Sequence, residues 1–141
     1  MSNNIRVGIA GVGFAARFHL ENYPESGVEV VGVTSSRAER REAFAAGHGV
    51  KAYASVEEML PDIDLLDICT PPSSHRDYIL AAASAGKHVI VEKPLTGFFG
   101  SPEEYPKAHM LESVREQARM LRETVTRAGI TLCYGENFVY A

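Results

Sequence analysis

Nowhere in the chain do about 18 apolar residues follow one another, the length a helix needs to cross a bilayer. No basic segment followed by an apolar one opens it either, so secretion and membrane insertion are both unsupported and a cytoplasmic protein is expected. Basic residues are in the minority, 14 Lys and Arg against 18 Asp and Glu, and form no long run. That balance argues against a nucleic-acid surface or an anionic membrane as partner. Only two cysteines occur, Cys69 and Cys133. Each sits in an apolar segment with strand character, and both are expected as small core residues, not as a disulfide or a metal pair. No metal site is expected. Repeats and low-complexity tracts are absent. A chain of 141 residues can bury roughly 70% of its unfolded surface, enough for one domain and not for two.

What is present is an alternation. Short apolar, β-branched runs at 5–10, 28–34, 50–53, 65–70, 88–92 and 130–134 are separated by amphipathic segments beginning near Phe14, Arg37, Val56, Ser74 and Met110. Strands alternating with helices imply right-handed βαβ units, hence an α/β fold with a doubly wound, mainly parallel sheet over residues 1–141. The strands are almost continuously apolar, as a sheet covered on both faces requires. Gly47, Gly86 and Gly129 stand where the helical patterns stop. In the last helix Leu111, Val114, Ala118, Leu121 and Val125 form one apolar stripe, opposite a solvated face of arginines and glutamates. One stretch does not fit. Residues 96–108, TGFFGSPEEYPKA, make a loop of about a dozen residues where such units usually connect in about 2–6.

The first strand runs into Gly11-Val12-Gly13-Phe14-Ala15-Ala16, the G-x-G-x-x-A form of a dinucleotide fingerprint. In that arrangement Gly11 makes the tight turn, Gly13 lets backbone approach a pyrophosphate, and Ala16 allows close helix packing. The amides of Phe14, Ala15 and Ala16 then point at the anion from a helix N-terminus. The alternative is a purely structural turn. At the end of the second strand, where a site for NAD places an acidic residue on the ribose, the chain has Thr34, Ser35, Ser36 and Arg37. Arg37, Arg40 and Arg41 crowd a helix start, which the macrodipole disfavours unless an anion is near. A 2′-phosphate held by Ser35, Ser36 and Arg37 would be that anion, so NADP is preferred over NAD; a solvated turn balanced by Glu39 and Glu42 is the alternative. Thr70-Pro71-Pro72 ends the fourth strand at the carboxyl edge, and His75 on the following turn either faces a cofactor or substrate or is a surface histidine. The fifth strand ends in Glu92-Lys93-Pro94 at the same edge, an unusual place for a lysine.

Taken together, GVGFAARFH, TPPSSH and AGKHVIVEKPL resemble the N-terminal domain of the glucose-fructose oxidoreductase, inositol dehydrogenase and MocA (Gfo/Idh/MocA) superfamily, over nearly the whole chain. The resemblance implies an NAD(P)-dependent oxidoreductase acting on a sugar, cyclitol or related polyol, with Lys93 reaching the reacting hydroxyl and partial burial of that lysine aiding it. Gly11, Gly13, Ala16, Thr70, Pro71, His75, Glu92, Lys93 and Pro94 match its cofactor-binding motifs, and a cis Lys93–Pro94 bond is a candidate. It also implies a C-terminal α/β domain outside this chain, and a homo-oligomer for the whole protein. The 141 residues alone are expected to be monomeric, to bind dinucleotide and to turn over nothing. Residues 96–108 are an insertion relative to the family pattern; they are expected to cover the site, grip a second domain, or form a mobile surface loop. Three rivals stay open: a lyase, isomerase or glycosidase using transient oxidation; a non-catalytic NAD(P)-sensing module, which would not need Lys93; and a domain with no ligand.

Overall fold

A computed structural model of the chain describes residues 4–136. Its elements are β1 Arg6–Ala10, α1 Phe14–Asn22, β2 Glu29–Thr34, α2 Ala38–His48, β3 Lys51–Tyr53, α3 Val56–Met59, β4 Leu65–Ile68, α4 His75–Ser84, β5 His88–Glu92, α5 Lys107–Ala128 and β6 Leu132–Gly135. The six strands pair in parallel in the order β3-β2-β1-β4-β5-β6. From β1 the chain winds outward through β2 and β3, then returns to start β4 on the other side of β1. The carboxyl ends of β1 and β4 therefore flank the crevice where open α/β sheets take ligands.

Helices cover both faces. On one, Val56, Met59, Ile63, Leu66, Ile68, Ile79, Val89, Val91 and Leu121 form a buried cluster under α3, α4 and α5. On the other, Val7, Ile9, Val33, Ala16, Leu20 and Phe44 pack under α1 and α2. The two-residue period of a strand sorts β4 accordingly: Leu66 and Ile68 face α4, while Leu65 and Asp67 face α1. Among the described residues no helix is long and apolar enough to cross a membrane.

All six expected strands form, and the differences lie at helix ends and edges. Gly47 stays inside α2; the left-handed cap is Gly49, with φ +68°. The helix expected near Met110 begins at Lys107, because its first turn is polar and carries no periodic signal. Its stripe is only partly covered: Leu121 is buried, but Leu111 is 52% exposed. Leu121→Ala should therefore cost about 2–5 kcal/mol, whereas Leu111→Ala should stay within about 0.5 kcal/mol; denaturant unfolding of both variants checks the contrast. Cys133, expected in the core, is exposed, and Cys69 is half-buried. β6 is an edge strand, so the side of it opposite Leu132 and Tyr134, which pack on the α5 side, lacks a covering helix. The loop between β5 and α5 is not a free excursion either. Thr96 Oγ1 donates to Gln117 Oε1 at 3.0 Å. Phe98 meets Tyr105 edge-on at 5.4 Å, and Tyr105 stacks on His109 at 5.0 Å, so the loop folds onto the start of α5.

Candidate functional site

At the switch point β1 ends in a turn built around Gly11, which has φ +116°. A Cβ there would lie 2.6 Å from the Cys69 carbonyl oxygen, so both the backbone angle and the neighbouring strand end exclude a side chain. Gly11 N donates to Thr34 O and Cys69 N donates to Ala10 O, both at 2.8 Å, tying the ends of β2, β1 and β4 together. Gly13 has a different reason to be glycine. It is the residue before α1, in extended conformation, and a Cβ there would meet nothing within 4 Å. The space above it is open. α1 has no side-chain cap and no acidic residue in its first turn, so its leading amides remain free for an anion. Ala16, fully buried, lets the helix lie close to the sheet.

A groove of about 650 Å³ opens over this turn. It gathers Gly11, Gly13, Ser35, Ser36, Arg37, Thr70 and Pro71 from the expected set, and adds Arg40, Ser73 and Tyr78. Among these lining residues none is acidic. Ser35 Oγ accepts weakly from Arg37 N at 3.5 Å, and Arg41 Nη1 donates to Ser35 O at 2.8 Å. Arg41 thus folds back to brace the turn that presents Arg37, while Arg37 itself is exposed. A wider concavity of about 760 Å³ lies at the opposite, amino-terminal edge of the sheet, lined by Arg6, Asp64 and His88 among others. Strand starts offer neither a glycine turn nor a helix N-terminus, so the smaller groove is the one with anion-binding chemistry.

His75 is not where a cofactor contact requires it. Its side chain is fully buried, with Nε2 2.8 Å from Thr70 O and Nδ1 3.0 Å from Pro94 O. Carbonyl oxygens only accept, so the ring is spent on binding the Thr70-Pro71 turn to the segment after Lys93. Glu92, Lys93 and Pro94 stand outside the groove, at the end of the next strand along the same edge. The Lys93–Pro94 bond is cis, and Lys93 is exposed, not partly buried.

A second cluster lies under α1. Asp67, wholly buried in β4, has Oδ2 2.8 Å from both His19 Nδ1 and the Tyr23 hydroxyl. Cys69 Sγ lies 3.5 Å from Asp67 Oδ1 and from His19 Nδ1. His19 Nε2 faces Glu92 Oε1 at 3.4 Å. The hydrogen bond to Asp67 raises the His19 pKa above its ordinary value against an opposing effect of burial. An unfolded imidazole lacks this partner, so the stabilisation is complete below about pH 6.5 and is lost as pH rises through the raised folded value. Burial first, then the Asp67 charge, pushes the Tyr23 and Cys69 protons toward staying on. His19, Asp67 and Cys69 place ligand atoms within 4.8 Å of one another, but 2.8 Å between nitrogen and oxygen is a hydrogen-bond length.

The oxidoreductase family whose NAD-binding part is a Rossmann fold, Gfo/Idh/MocA, matches residues 5–125. The chain belongs to the Gfo/Idh/MocA family. As a member it is an NAD-binding Rossmann domain. It is 40% identical over 110 residues to the 1,5-anhydro-D-fructose reductase of Ensifer adhaerens, covering 76% of this chain and 28% of that protein. Among solved structures, UDP-N-acetylglucosamine 3-dehydrogenase from Acidithiobacillus ferrooxidans superposes with a TM-score of 0.77 at 30% identity, over 94% of this chain and 38% of that one. GenD2 from gentamicin A biosynthesis, in complex with NAD, gives 0.82 at 25% identity over 100% of this chain and 37% of that one. The chain thus spans about a third of the length of these relatives.

Residues of this Gfo/Idh/MocA domain that motif reading passes over are His19, Tyr23 and Asp67. The available signal was an aspartate inside an otherwise apolar strand, LLDIC, which demands a partner once the strand is buried.

Proposed function

We propose that this chain is the dinucleotide-binding domain of a two-domain oxidoreductase that moves a hydride between NAD(P) and a hydroxyl or carbonyl carbon of a sugar, cyclitol or related polyol. The observation that carries this reading is the continuous carboxyl edge. The Gly11–Gly13 turn is tied to the end of β4 through Cys69 N and Ala10 O, and His75 braces the Thr70-Pro71 turn to Pro94. The nicotinamide, when bound, supplies or accepts the hydride. The chain's own residues do the rest. The α1 amides and Gly13 hold the pyrophosphate, and Thr70 and Pro71 wall the groove. Lys93, at the strand end, donates a hydrogen bond to the substrate oxygen as it gains negative charge, the hydroxyl proton passing to a base that the second domain would supply. A second domain, outside these residues, covers the nicotinamide and supplies the remaining substrate walls.

The reading includes a preference for NADP(H). Its support is that Ser35, Ser36, Arg37 and Arg40 line the ribose end of the groove with no carboxylate among them. Calorimetric titration of this chain with NADPH and NADH should give tighter binding of NADPH. Arg37→Ala should weaken NADPH by about 10-fold or more, the scale of a lost charge-assisted hydrogen bond, and leave NADH within about twofold. Equal or tighter NADH binding, or an Arg37→Ala chain that holds NADPH unchanged, would remove the 2′-phosphate clamp.

A further inference from the structure

We propose that His19 is a positioning residue for the edge that carries Lys93: anchored by Asp67 through one ring nitrogen, it grips Glu92 through the other and so fixes where β5 delivers Lys93. The inference rests on the reading of Lys93 as the group that meets substrate.

The geometry comes from strand periodicity. Asp67 pairs in register with Ile90, so Asp67 and Glu92, two residues beyond Ile90, face the same side of the sheet on neighbouring strands. α1 crosses that side and presents His19 to both. Asp67 is fixed before His19 is considered: it is wholly buried and also accepts from the Tyr23 hydroxyl at 2.8 Å. Its hold on Nδ1, at 2.8 Å, sets the plane of the imidazole. Nε2 is then directed at Glu92 Oε1, 3.4 Å away. The other Glu92 oxygen, Oε2, accepts from the backbone amide of Lys93 at 3.3 Å. One chain of contacts therefore runs from the buried centre of β4, through α1, to the peptide that begins the catalytic segment.

Both ring nitrogens face carboxylates, which only accept, so the arrangement is complete when the ring carries two protons. The raised His19 proton affinity agrees with this. The titratable groups around the ring are Asp67 from β4, Cys69 just beyond it, Tyr23 after α1 and Glu92 from β5; Phe18, edge-on at 6.4 Å, is uncharged. A role in packing alone would be served as well by apolar residues of similar volume, which commonly replace buried ion pairs without loss. Only the Glu92 side of the ring, where both side chains keep roughly a fifth of their surface in water, adjoins the edge of the site.

The test is a pH titration of the isotopically labelled 141-residue chain by NMR between pH 5 and 9, following the His19 ring and the Lys93 backbone amide together. The expected result is one shared midpoint above the ordinary histidine value. In Glu92→Gln that midpoint should fall and the Lys93 amide should lose its step, while Asp67→Asn should lower the His19 midpoint as well. Glu92 is only half-buried, so its variant carries the test even if Asp67→Asn does not fold. A Lys93 amide that ignores the His19 titration, or a Glu92→Gln chain in which the two still move together, overturns the proposal. Dinucleotide titration of the same sample reports separately on cofactor binding, so failure of that reading would be seen apart from this one.

Discussion

Replacing Gly13 with aspartate should leave the domain at least as stable as before and weaken dinucleotide binding by about 100-fold or more. The fold has no objection: Gly13 sits at φ −93° and ψ −163°, an extended conformation open to any residue, and a Cβ there meets nothing within 4 Å. Aspartate is also among the best residues to precede a helix, better than glycine there by roughly a few tenths of a kcal/mol, and α1 has neither a side-chain cap nor an acid in its first turn. Binding suffers because the carboxylate takes the place of the anion. Two unit charges about 4 Å apart repel by about 4 kcal/mol at an effective dielectric constant near 20. A thermal melt alongside calorimetric titration separates the two effects. Unchanged affinity would mean that the pyrophosphate does not rest on α1. Gly11 offers no such separation, since its positive φ and its closeness to Cys69 O make any side chain there a folding defect first.

In the two-domain oxidoreductase proposed above, Lys93→Met should lower kcat by about 100-fold or more, the scale of a lost general acid-base or oxyanion-stabilising group. Dinucleotide affinity should change by less than about threefold. Methionine keeps most of the stem while removing the charge. Lys93 is exposed and does not line the dinucleotide groove, so neither folding nor cofactor binding leans on it. Steady-state kinetics with cofactor-dissociation measurements check both halves. Normal turnover would take the catalytic role away from Lys93.

The strands were legible because a parallel sheet buried on both faces leaves long β-branched runs, as in Val28–Thr34, that no surface helix imitates. The glycine turn was legible for a similar reason: its demands are local, and Gly11, Gly13 and Ala16 lie within one turn and its helix. What escaped depends on partners far away in the chain. His19 and Asp67 are 48 residues apart, and nothing near either residue shows that α1 crosses above β4. His75 reads as either a ligand-facing or a surface group because its position on the first turn of a helix is local information. Its two carbonyl partners, one of them 19 residues further on, are not. The apolar stripe of α5 is legible as a pattern, but periodicity gives a face and not what covers it: Leu111 and Leu121 share the stripe and differ widely in exposure. Cys133 taught the same lesson for strands, because an apolar run does not say whether its strand is central or last in the sheet.

That edge position also gives the molecule an asymmetric pair of thiols. Cys133 stands open near the amino-terminal rim of the sheet, away from the groove, while Cys69 is held protonated by burial beside Asp67 at the floor of the groove. A thiol reagent at neutral pH therefore reacts faster with the first than with the second, which is half-buried and kept in its thiol form. The domain thus comes with one ready attachment point for a dye, set away from the groove, and one slower thiol inside it, and neither has to be engineered.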